Sequence, residues 1–350
     1  ADEEPASTQS PDDPIRIGYT SGTTGTPKRL EFSWRNHENS IAKAMWFNGF
    51  TRRSRNLVST PFTFAGSYTN ATACIRSGGT VVFENRTTLG EAIAAHSITH
   101  ATLAPVFLKN LVDELPSGFK KPADLTIFTW GAATSRGLRD KVLARLATDL
   151  YDLYGSNEAS AVSVTRGNAE FGSVLPRVRV EVVDDRDRLI PFGQLGQIRV
   201  KTDCMVDGYF DDPEATQRMF RDGWFYAGDL GILHDAHRLQ IIGRSDDLLN
   251  IGGSKFSPTA LEDLVSKSVD VGDVGVCSVP NADGLEEVCV ILSAARGGDQ
   301  ELVERITGAF RQLQLGRFYV MRMEGIPRNA NGKIERDLLK RAAVESKRKP

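Results

Sequence analysis

The stretch YTSGTTGTPK, from Tyr19 to Lys28, is dominated by glycine, threonine and serine and ends in Pro-Lys. Glycine lets backbone N–H groups approach a ligand closely, while the hydroxyls and the lysine add further donors, so the composition suits phosphate oxygens. The order differs from the GxxxxGK[ST] phosphate loop, because the lysine here follows Pro27. Composition alone therefore leaves two hypotheses open, a phosphate-binding loop and a mobile surface loop.

The sequence on either side of this loop alternates between strand-like and helix-like segments. IRIGYT runs into the loop as a short strand, and NSIAKAMWFNGF follows it with helical spacing. Further on, strand-like runs such as RNLVST and DLTIFTW alternate with helix-like runs such as LGEAIAAH. Alternation of this kind predicts a parallel sheet covered by helices.

Two changes of pattern divide the rest of the chain. Short strands such as GQIRVKT, separated by Gly, Pro and Asp turns, predict a small β-rich subdomain, and mixed helices and strands follow GRSDDLLN. The predicted fold class is an α/β large lobe, with a parallel sheet, helices and the β-rich subdomain, followed by a small α+β C-terminal lid domain. The predicted divisions are a flexible lead-in at 1–14, an α/β core at 15–172, the β-rich subdomain at 173–245, a mobile C-terminal domain at 246–340 and a basic tail at 341–350.

Composition and charge exclude several classes of protein. The 350-residue chain is 40% hydrophobic and 25% charged with a formal net charge of -2, which is ordinary for a globular protein of about two domains. That charge offers no field to recruit nucleic acid or an anionic membrane, and no apolar run is long enough to span a bilayer. The cysteines form no CxxC pair and the first residues do not resemble a signal peptide, so we expect reduced thiols and a cytoplasmic location.

The order of residues in the loop narrows its meaning. YTSGTTGTPK resembles the signature loop of the adenylate-forming superfamily, which comprises acyl-CoA synthetases, peptide-synthetase adenylation domains and luciferases. Further segments that resemble the superfamily follow in family order: WGAAT at 130–134, YDLYGSNE at 151–158, GQIRVKTDCMVDGYFDDPEAT at 196–216, DGWFYAGDLG at 222–231, IIGRSDDLLNIGGSKFSPTALE at 241–262 and IPRNANGKIERDLL at 326–339. The chain is identified as a member of this superfamily. It is similar to AMP-dependent acyl-CoA synthetases, and the resemblance covers residues 15–340.

The resemblance implies a nucleotide site in the core at 15–172, which would bind ATP and the acyl group. The loop is expected to hold the β- and γ-phosphates, Asp152 to accept from the adenine amino group and Tyr154 to stack on adenine. Asp229 is expected to bind both ribose hydroxyls with support from Arg244. A strand-end cap is the alternative for Asp152, and a surface ion pair for Arg244. The implied ATP- and AMP-binding residues are Thr20, Ser21, Gly22, Thr23, Thr24, Gly25, Lys28, Gly131, Ala132, Ala133, Asp152, Leu153, Tyr154, Gly155, Asp229 and Arg244.

The resemblance also implies the reaction and its catalytic residues. A carboxylate oxygen attacks the α-phosphorus of ATP and expels pyrophosphate, so two anions must meet. Lys333 is expected to bridge them as a mobile ammonium, Glu158 to bind Mg²⁺, and Asn157 to donate to a phosphate oxygen. No general base is required, because a carboxylic acid is already ionised at neutral pH.

A second half-reaction is implied in which the C-terminal domain moves. Asp246 resembles the hinge about which that domain rotates after adenylation. Gly252 and Gly253 resemble the segment beside the pantetheine thiol, where the lack of side chains lets the thiol pass close to the backbone. The resemblance thus implies an enzyme with two conformations and with coenzyme A as co-substrate.

Three departures from the family pattern affect these expectations. The phosphate loop lies near the start of the sequence, where relatives carry a large N-terminal segment, so we expect a shortened or split member that a separate N-terminal lobe or a homo-oligomer completes. Asn157 stands where the family has threonine. Phe64 replaces a histidine found in many acyl-CoA synthetases, and Trp130 replaces a residue that is often small. Together with Phe62 these two aromatics are predicted to wall the acyl pocket and to favour a short or flat acid; the alternative is that they pack in the core.

Three functions therefore compete. The first is ATP-dependent activation of a small carboxylic acid to an acyl-adenylate, followed by transfer to coenzyme A. The second uses the same adenylation but loads the acyl group onto the phosphopantetheine of an acyl carrier protein. The third is a non-catalytic nucleotide- or acyl-binding remnant, which the joint presence of Lys333, Glu158 and Asp229 disfavours.

Overall fold

The computed structural model describes residues 10–20, 28–60, 62, 65–84, 87–251, 254–281, 285–313, 315, 318–329 and 332–348. Its first half alternates strands and helices as the sequence predicts. The elements are β1 (Pro14–Tyr19), β2 (Arg29–Ser33), α1 (Trp34–Asn48), β3 (Arg55–Val58), α2 (Ala65–Arg76), β4 (Thr80–Phe83), α3 (Leu89–Ala95), β5 (His100–Leu103), α4 (Pro105–Glu114), β6 (Thr126–Thr129), α5 (Arg136–Arg145), β7 (Asp149–Ser156) and β8 (Ser160–Arg166).

Five of these strands form a parallel sheet in the order β4-β3-β5-β6-β7. The helices between them cross from one strand to the next, as parallel pairing requires. Their apolar faces meet the sheet in a cluster that includes Leu103, Leu108, Ile127 and Leu150, each almost completely buried. This layer confirms the predicted α/β lobe, and it brings the carboxyl ends of β5, β6 and β7 to one edge.

The next segment is rich in short strands. They are β9 (Gly172–Val174), β10 (Val178–Val183), β11 (Leu195–Thr202), β12 (Tyr209–Phe210), β13 (Phe220–Arg221), β14 (Trp224–Phe225), β15 (Asp229–Leu233) and β16 (Arg238–Arg244), with α6 (Pro213–Met219) between β12 and β13. The β9–β16 pairing joins most of them to β8 and β7, so the sheet order continues as β13-β14-β11-β15-β16-β9-β8-β7, with β10 on β11. The boundary drawn at 172/173 thus falls where the sheet is continuous, and it stays a prediction.

The C-terminal part has its own sheet and core. It contains β17 (Leu249–Ile251), β18 (Ser254–Phe256), α7 (Pro258–Ser268), β19 (Asp273–Pro280), β20 (Glu286–Ser293), α8 (Asp299–Phe310), a 3₁₀ turn (Arg311–Leu313), β21 (Phe318–Met323) and α9 (Arg336–Arg348). The sheet order is β19-β20-β21, and its faces are covered by separate apolar clusters around Val290 and Ile291. An α+β domain follows the large lobe, as the sequence predicts.

Two elements differ from the sequence prediction. Helix α2 was not expected, because its buried positions are occupied by small or polar residues such as Ser67, Asn70 and Ala73, which give little hydrophobic periodicity. Residues 341–348, predicted as part of a basic tail, continue α9. Ala343 is fully buried in the cluster with Cys289, so the basic side chains decorate a packed helix.

No helix in the described part of the chain is both long and apolar enough to cross a membrane.

Candidate active site

A cavity of about 1980 Å³ lies between the large lobe and the C-terminal domain. Its wall includes Glu158 and Asp229 from the large lobe and Lys333 from the C-terminal domain. Residues as far apart in the sequence as Glu158 and Lys333 therefore line one cavity.

The two ends of the glycine–threonine loop are held together at the cavity. Thr20 donates its N–H to the carbonyl of Lys28 at 2.8 Å, and the Lys28 N–H donates to the Thr20 hydroxyl at 3.0 Å. Asn157 donates its side-chain amide to the Tyr19 carbonyl at 2.7 Å, so it supports the strand that enters the loop. Ser21, Gly22, Thr23, Thr24 and Gly25 lie outside the described residues.

Glu158 follows β7 and turns inward, where it is 8% exposed. Its Oε1 accepts a hydrogen bond of 2.8 Å from the hydroxyl of Tyr209, which lies on β12. Burial and the neighbouring carboxylate raise the pKa of Tyr209, so the phenol stays protonated as the donor. The Lys28 ammonium lies 4.7 Å from the Tyr209 ring centroid and 3.4 Å from a carboxylate oxygen of Asp212. Lys28 thus stands at the edge of the Glu158 pocket.

Asp229 begins β15, and two partners from different strands orient its carboxylate. Tyr154 on β7 donates its hydroxyl to Asp229 Oδ2 at 2.8 Å. Arg244 lies opposite Asp229 in the β15–β16 ladder, with Nε 3.7 Å from Oδ1. Burial raises the pKa of Asp229, and Arg244 and the Tyr154 hydroxyl oppose that rise. Burial and the Asp229 charge together raise the pKa of Tyr154 well above its ordinary value.

Asp152 on β7 accepts hydrogen bonds from three donors, which lie at the end of β6, in the turn after it and on α5. Its carboxylate accepts from the Thr129 hydroxyl at 3.0 Å, the Thr134 N–H at 3.0 Å and the Arg139 guanidinium at 2.8 Å. The Asp152 and Arg139 side chains are 11% and 13% exposed. Burial raises the pKa of Asp152, and Arg139 opposes that rise. These hydrogen bonds hold the turn that ends at Thr134, which agrees with the alternative that Asp152 caps the end of a strand. Asp152 also lines the cavity.

The turn that Asp152 holds carries the other expected nucleotide contacts. Gly131, Ala132 and Ala133 are exposed toward the cavity, and Gly131 has φ +89°, a conformation that favours glycine. Leu153 and Gly155 also line the cavity. A Cβ at Gly155 would lie 2.3 Å from the Ser160 carbonyl oxygen, so only glycine fits there.

Lys333 reaches this cavity from the loop before α9. Burial and the Arg244 charge lower the pKa of its ammonium, while Asp229, Asp247 and Glu158 act in the opposite direction. No carboxylate of the described residues lies within 4.0 Å of its Nζ. The backbone is fixed instead, since the Lys333 N–H donates to the Asn329 side chain at 3.1 Å and its carbonyl accepts from the Asn329 N–H at 2.9 Å.

The predicted aromatic wall of the acyl pocket is only partly formed by those residues. Trp130 lines the cavity and lies against Gly66 on α2, where an added Cβ would be 3.2 Å from the indole. Phe62 does not appear in the cavity wall; it is 44% exposed and contacts Phe83 edge-on with ring centroids 5.3 Å apart. Phe64 lies outside the described residues.

The predicted hinge and thiol segment lie just beyond β16. Asp246 is exposed in a turn between β16 and β17. The preceding Ser245 donates its N–H to the Gly228 carbonyl at 2.8 Å, which ties the turn to the strand that carries Asp229. Gly252 and Gly253 lie outside the described residues.

Several residues of the site were not singled out in the sequence. Tyr209 lies in the GYFDDPEAT segment, which was quoted for its resemblance only. Arg139 belongs to a predicted helix and Asp247 to a charged turn, and neither context indicates a role in the site. No cluster of three or more His, Cys, Asp or Glu side chains suited to a metal ion occurs within the described ranges.

Comparison with known proteins gives one family and many relatives. A family model described as AMP-binding enzyme matches residues 1–210. A putative acyl–CoA ligase, YdaB of Bacillus subtilis (strain 168), is 27% identical over 96% of this chain and 69% of its own length. The 2-succinylbenzoate–CoA ligase of Bacillus velezensis is 26% identical over 97% of this chain and 71% of its own length.

Solved structures share the fold. ATP-bound MatB from Rhodopseudomonas palustris matches with a TM-score of 0.83 at 23% identity, over 97% of this chain and 70% of that one. O-succinylbenzoate coenzyme A synthetase (MenE) from Bacillus subtilis, in complex with ATP and magnesium ion, matches with a TM-score of 0.81 at 22% identity, over 95% of this chain and 71% of that one. The large mixed sheet and the smaller C-terminal domain are thus an arrangement that these enzymes also have.

Proposed function

We propose a role for each of the site residues, because the chain belongs to the AMP-binding enzyme family. The chain is an AMP-forming acid–thiol ligase of the acyl-CoA synthetase kind. Its first reaction joins a carboxylate oxygen to the α-phosphorus of ATP, and the bond to the β-phosphate breaks to release pyrophosphate. In the second, a thiol attacks the acyl carbon and AMP leaves.

The observation that carries this proposal is the meeting of Lys333 with Glu158 and Asp229 in one cavity. The first reaction brings two anions together, so a cation must lie between them in the transition state. Lys333 has no carboxylate partner within salt-bridge distance among the described residues, and its ammonium is therefore free to bind carboxylate and α-phosphate oxygens. Burial and Arg244 lower the pKa of this ammonium, and Asp229, Asp247 and Glu158 oppose that lowering.

Asp229 and Tyr154 are proposed to hold the ribose and adenine. The hydroxyl of Tyr154 is fixed on Asp229 at 2.8 Å, which leaves the phenol ring as a flat wall of the cavity. Asp229 Oδ1 lies 3.7 Å from Arg244 Nε and accepts no hydrogen bond from the described residues, so we propose that it accepts from ribose hydroxyls. Gly131, Ala132 and Ala133 are exposed in the same cavity and are proposed to contact adenine as well. Asp152 contributes by holding that backbone, and a direct contact with adenine remains the earlier prediction.

The residues around Glu158 fit a magnesium ion. Tyr209 occupies one carboxylate oxygen and leaves the other available, and Mg²⁺ commonly takes one or two carboxylates together with phosphate oxygens and water. Lys28 lies beside Tyr209, and we propose that its ammonium contacts phosphate oxygens as well. When bound, Mg²⁺ neutralises phosphate charge on the leaving side.

The acid is proposed to be short or flat. Trp130 lines the cavity and lies directly on Gly66, so we expect the indole to limit the length of the acid. Ala44, Phe47 and Thr102 also line the cavity. Phe62 lies outside the cavity wall, and its contact with the acid stays a prediction.

Coenzyme A is the proposed thiol acceptor, because the relatives named above are CoA ligases by name. Loading of an acyl carrier protein is the alternative. A cytoplasmic location, a separate N-terminal lobe and a homo-oligomer remain predictions.

Carboxylate-dependent exchange of labelled pyrophosphate into ATP tests the proposal. The purified chain is assayed with short aliphatic, aryl and long-chain acids, and each active acid is then offered with coenzyme A or with a phosphopantetheinylated carrier protein. Exchange with short or aryl acids and a thioester on coenzyme A support the proposal. A thioester only on the carrier favours the alternative acceptor, and ATP binding without exchange under any acid favours a binding-only protein.

A further inference from the structure

We propose that Gly332 and Val106 form the contact that sets how far the lysine loop, defined as residues 328–329 and 332–333, enters the active-site cavity. Both are positioning residues, because they act through Lys333 and touch no reacting atom. The inference rests on the proposed adenylation role of Lys333. It adds that the contact fixes how far the Lys333 side chain reaches into the cavity.

The contact joins the backbone of the C-terminal domain at Gly332 to a side chain of the large lobe, that of Val106. Gly332 is buried, with φ +76°. A Cβ built on it would lie 2.2 Å from Val106 Cγ1, 3.3 Å from Val106 Cβ and 3.8 Å from the Ala104 Cβ. The backbone of Gly332 therefore rests directly on the Val106 side chain, with no room for a methyl group.

The lysine loop cannot easily yield on its own side. Arg328 donates to the Gly332 carbonyl at 2.7 Å and forms two hydrogen bonds with Asp273 on β19, at 2.9 and 3.1 Å. The Gly332 N–H donates to the Asn329 carbonyl at 2.8 Å. These bonds join the loop to the sheet of the C-terminal domain. A displacement of Gly332 must therefore either break these bonds or move that domain.

The large lobe cannot easily yield either. Val106 lies in the first turn of α4, directly after Pro105, and the same turn continues into Leu108, which is fully buried in the core of the large lobe. A methyl group on residue 332 must therefore lift the loop by about 1 Å to restore ordinary carbon–carbon contact distances of about 3.5 Å. Lys333, the next residue, moves with it.

The consequence is confined to one arrangement of the domains. The contact crosses the domain interface, so bulk at residue 332 penalises only the state in which Lys333 faces Asp229 and Glu158. A displacement of about 1 Å in a catalytic group can cost about 10²-fold in rate. Transfer of an acyl group from a ready-made acyl-adenylate does not use Lys333, so it escapes this penalty.

The experiment compares Gly332→Ala with Gly332→Ala/Val106→Ala. We expect Gly332→Ala to lower pyrophosphate exchange by about 10²-fold and to leave thioester formation from synthetic acyl-adenylate close to the wild-type rate. Val106→Ala alone lowers exchange a few-fold, since the loop then rests on a smaller support. The double variant regains at least about tenfold over Gly332→Ala, because removal of Cγ1 leaves the Cβ–Cβ separation at 3.3 Å.

Gly193→Ala is the matched control for backbone strain. Gly193 also has a positive φ, +83°, but nothing lies within 4 Å of the added Cβ, and it does not line the cavity. Its exchange activity should equal that of the wild type. Undiminished exchange in Gly332→Ala, or a double variant no better than Gly332→Ala, overturns the inference.

A readout without catalysis separates this inference from the proposed function. Amides in the first turn of a helix have no acceptor within the helix, so their protection depends on what covers them. Hydrogen exchange at residues 106–107 should be faster in Gly332→Ala and slow again in the double variant. If the wild type shows no pyrophosphate exchange, the proposed function fails, while unchanged amide exchange in Gly332→Ala rejects the contact itself.

Discussion

Two parts of the molecule face the same cavity and are supported differently. One is the nucleotide wall of the large lobe, which contains Asp152, Glu158 and Asp229. The other is the lysine loop of the C-terminal domain. In the wall, these carboxylates have side-chain or backbone donors: Asp152 has three, Asp229 has Tyr154 with Arg244 as an ion-pair partner, and Glu158 has Tyr209. The Lys333 ammonium has no such partner among the described residues, and only its backbone is bonded. We infer that the carboxylates of the wall are held within the large lobe, whereas the position of Lys333 depends on how the C-terminal domain packs on that lobe.

Among variants of the nucleotide wall, the largest expected loss of activity comes from removing the charge of Glu158. Glu158→Gln keeps an acceptor for the Tyr209 hydroxyl and removes the negative charge, so the local structure should persist. We expect pyrophosphate exchange to fall by about 10²-fold, because support for the metal is lost. Exchange measured across a range of Mg²⁺ concentrations checks this.

Tyr209→Phe is the matched variant, since it keeps the charge and loses the hydrogen bond. Its exchange should fall far less than that of Glu158→Gln. If the two variants lose equal activity, Glu158 serves the fold through Tyr209, and its assignment to magnesium is wrong.

The next largest effect tests whether the wall is prebuilt. Asp152→Ala leaves the buried Arg139 without its carboxylate, and breaking such a pair costs about 3–5 kcal/mol of unfolding free energy. Thermal and denaturant unfolding measure the loss. A mutant as stable as the wild type would show that the network does not support the wall.

The same variant distinguishes the two roles of Asp152 if ATP and inosine triphosphate are compared below the melting temperature. Selectivity between them should be unchanged if Asp152 only holds the turn at Thr134. Loss of discrimination would instead support a direct contact with the adenine amino group, as the family resemblance implies.

A smaller effect is expected at Tyr154. Tyr154→Phe retains the ring and removes the hydroxyl that donates to Asp229 at 2.8 Å. A hydrogen bond to a charged group contributes about 1.5–3 kcal/mol, so we expect KM for ATP to rise by about tenfold or more. The pyrophosphate exchange rate at saturating ATP should change little; a loss confined to that rate would contradict a role in nucleotide binding.

The smallest effect concerns pH. Burial lowers the pKa of Lys333, so the ammonium loses its proton at a lower pH than an ordinary lysine does. Adenylation should therefore decline as pH rises, beginning below about 10.4, while thiol transfer from a preformed adenylate lacks this decline. Lys333→Arg should remove the decline from whatever exchange remains. A decline that persists in that variant belongs to another group.

The sequence predicted the fold in the places where apolar periodicity is strong. The strands at 55–58 and 126–129 fall within the predicted runs RNLVST and DLTIFTW, because Leu57 and Ile127 are buried in the core. Helix α2 escaped prediction since its core residues are small or polar. The end of α9 did too, because its basic surface hides the buried Ala343.

For the site, the residues named from the family resemblance lie at one cavity wherever they are described, apart from Phe62, while their partners were not foreseen. Tyr154 and Asp229 are 75 positions apart, and Glu158 and Tyr209 are 51 apart. Pairings of this kind depend on which strands become neighbours, and spacing in the sequence does not encode that. The contact between Gly332 and Val106 depends on the docking of two domains, which is further still from any local pattern.

The most direct test of the whole account measures the two half-reactions separately in wild type and Lys333→Ala. We predict that the variant loses acid-dependent pyrophosphate exchange by about 10²–10³-fold, the usual loss when one transition-state contact is removed. Its transfer of an acyl group from synthetic acyl-adenylate to coenzyme A should remain at the wild-type rate. An equal loss in both half-reactions, or no loss in exchange, would contradict the assignment of Lys333 to the adenylation step.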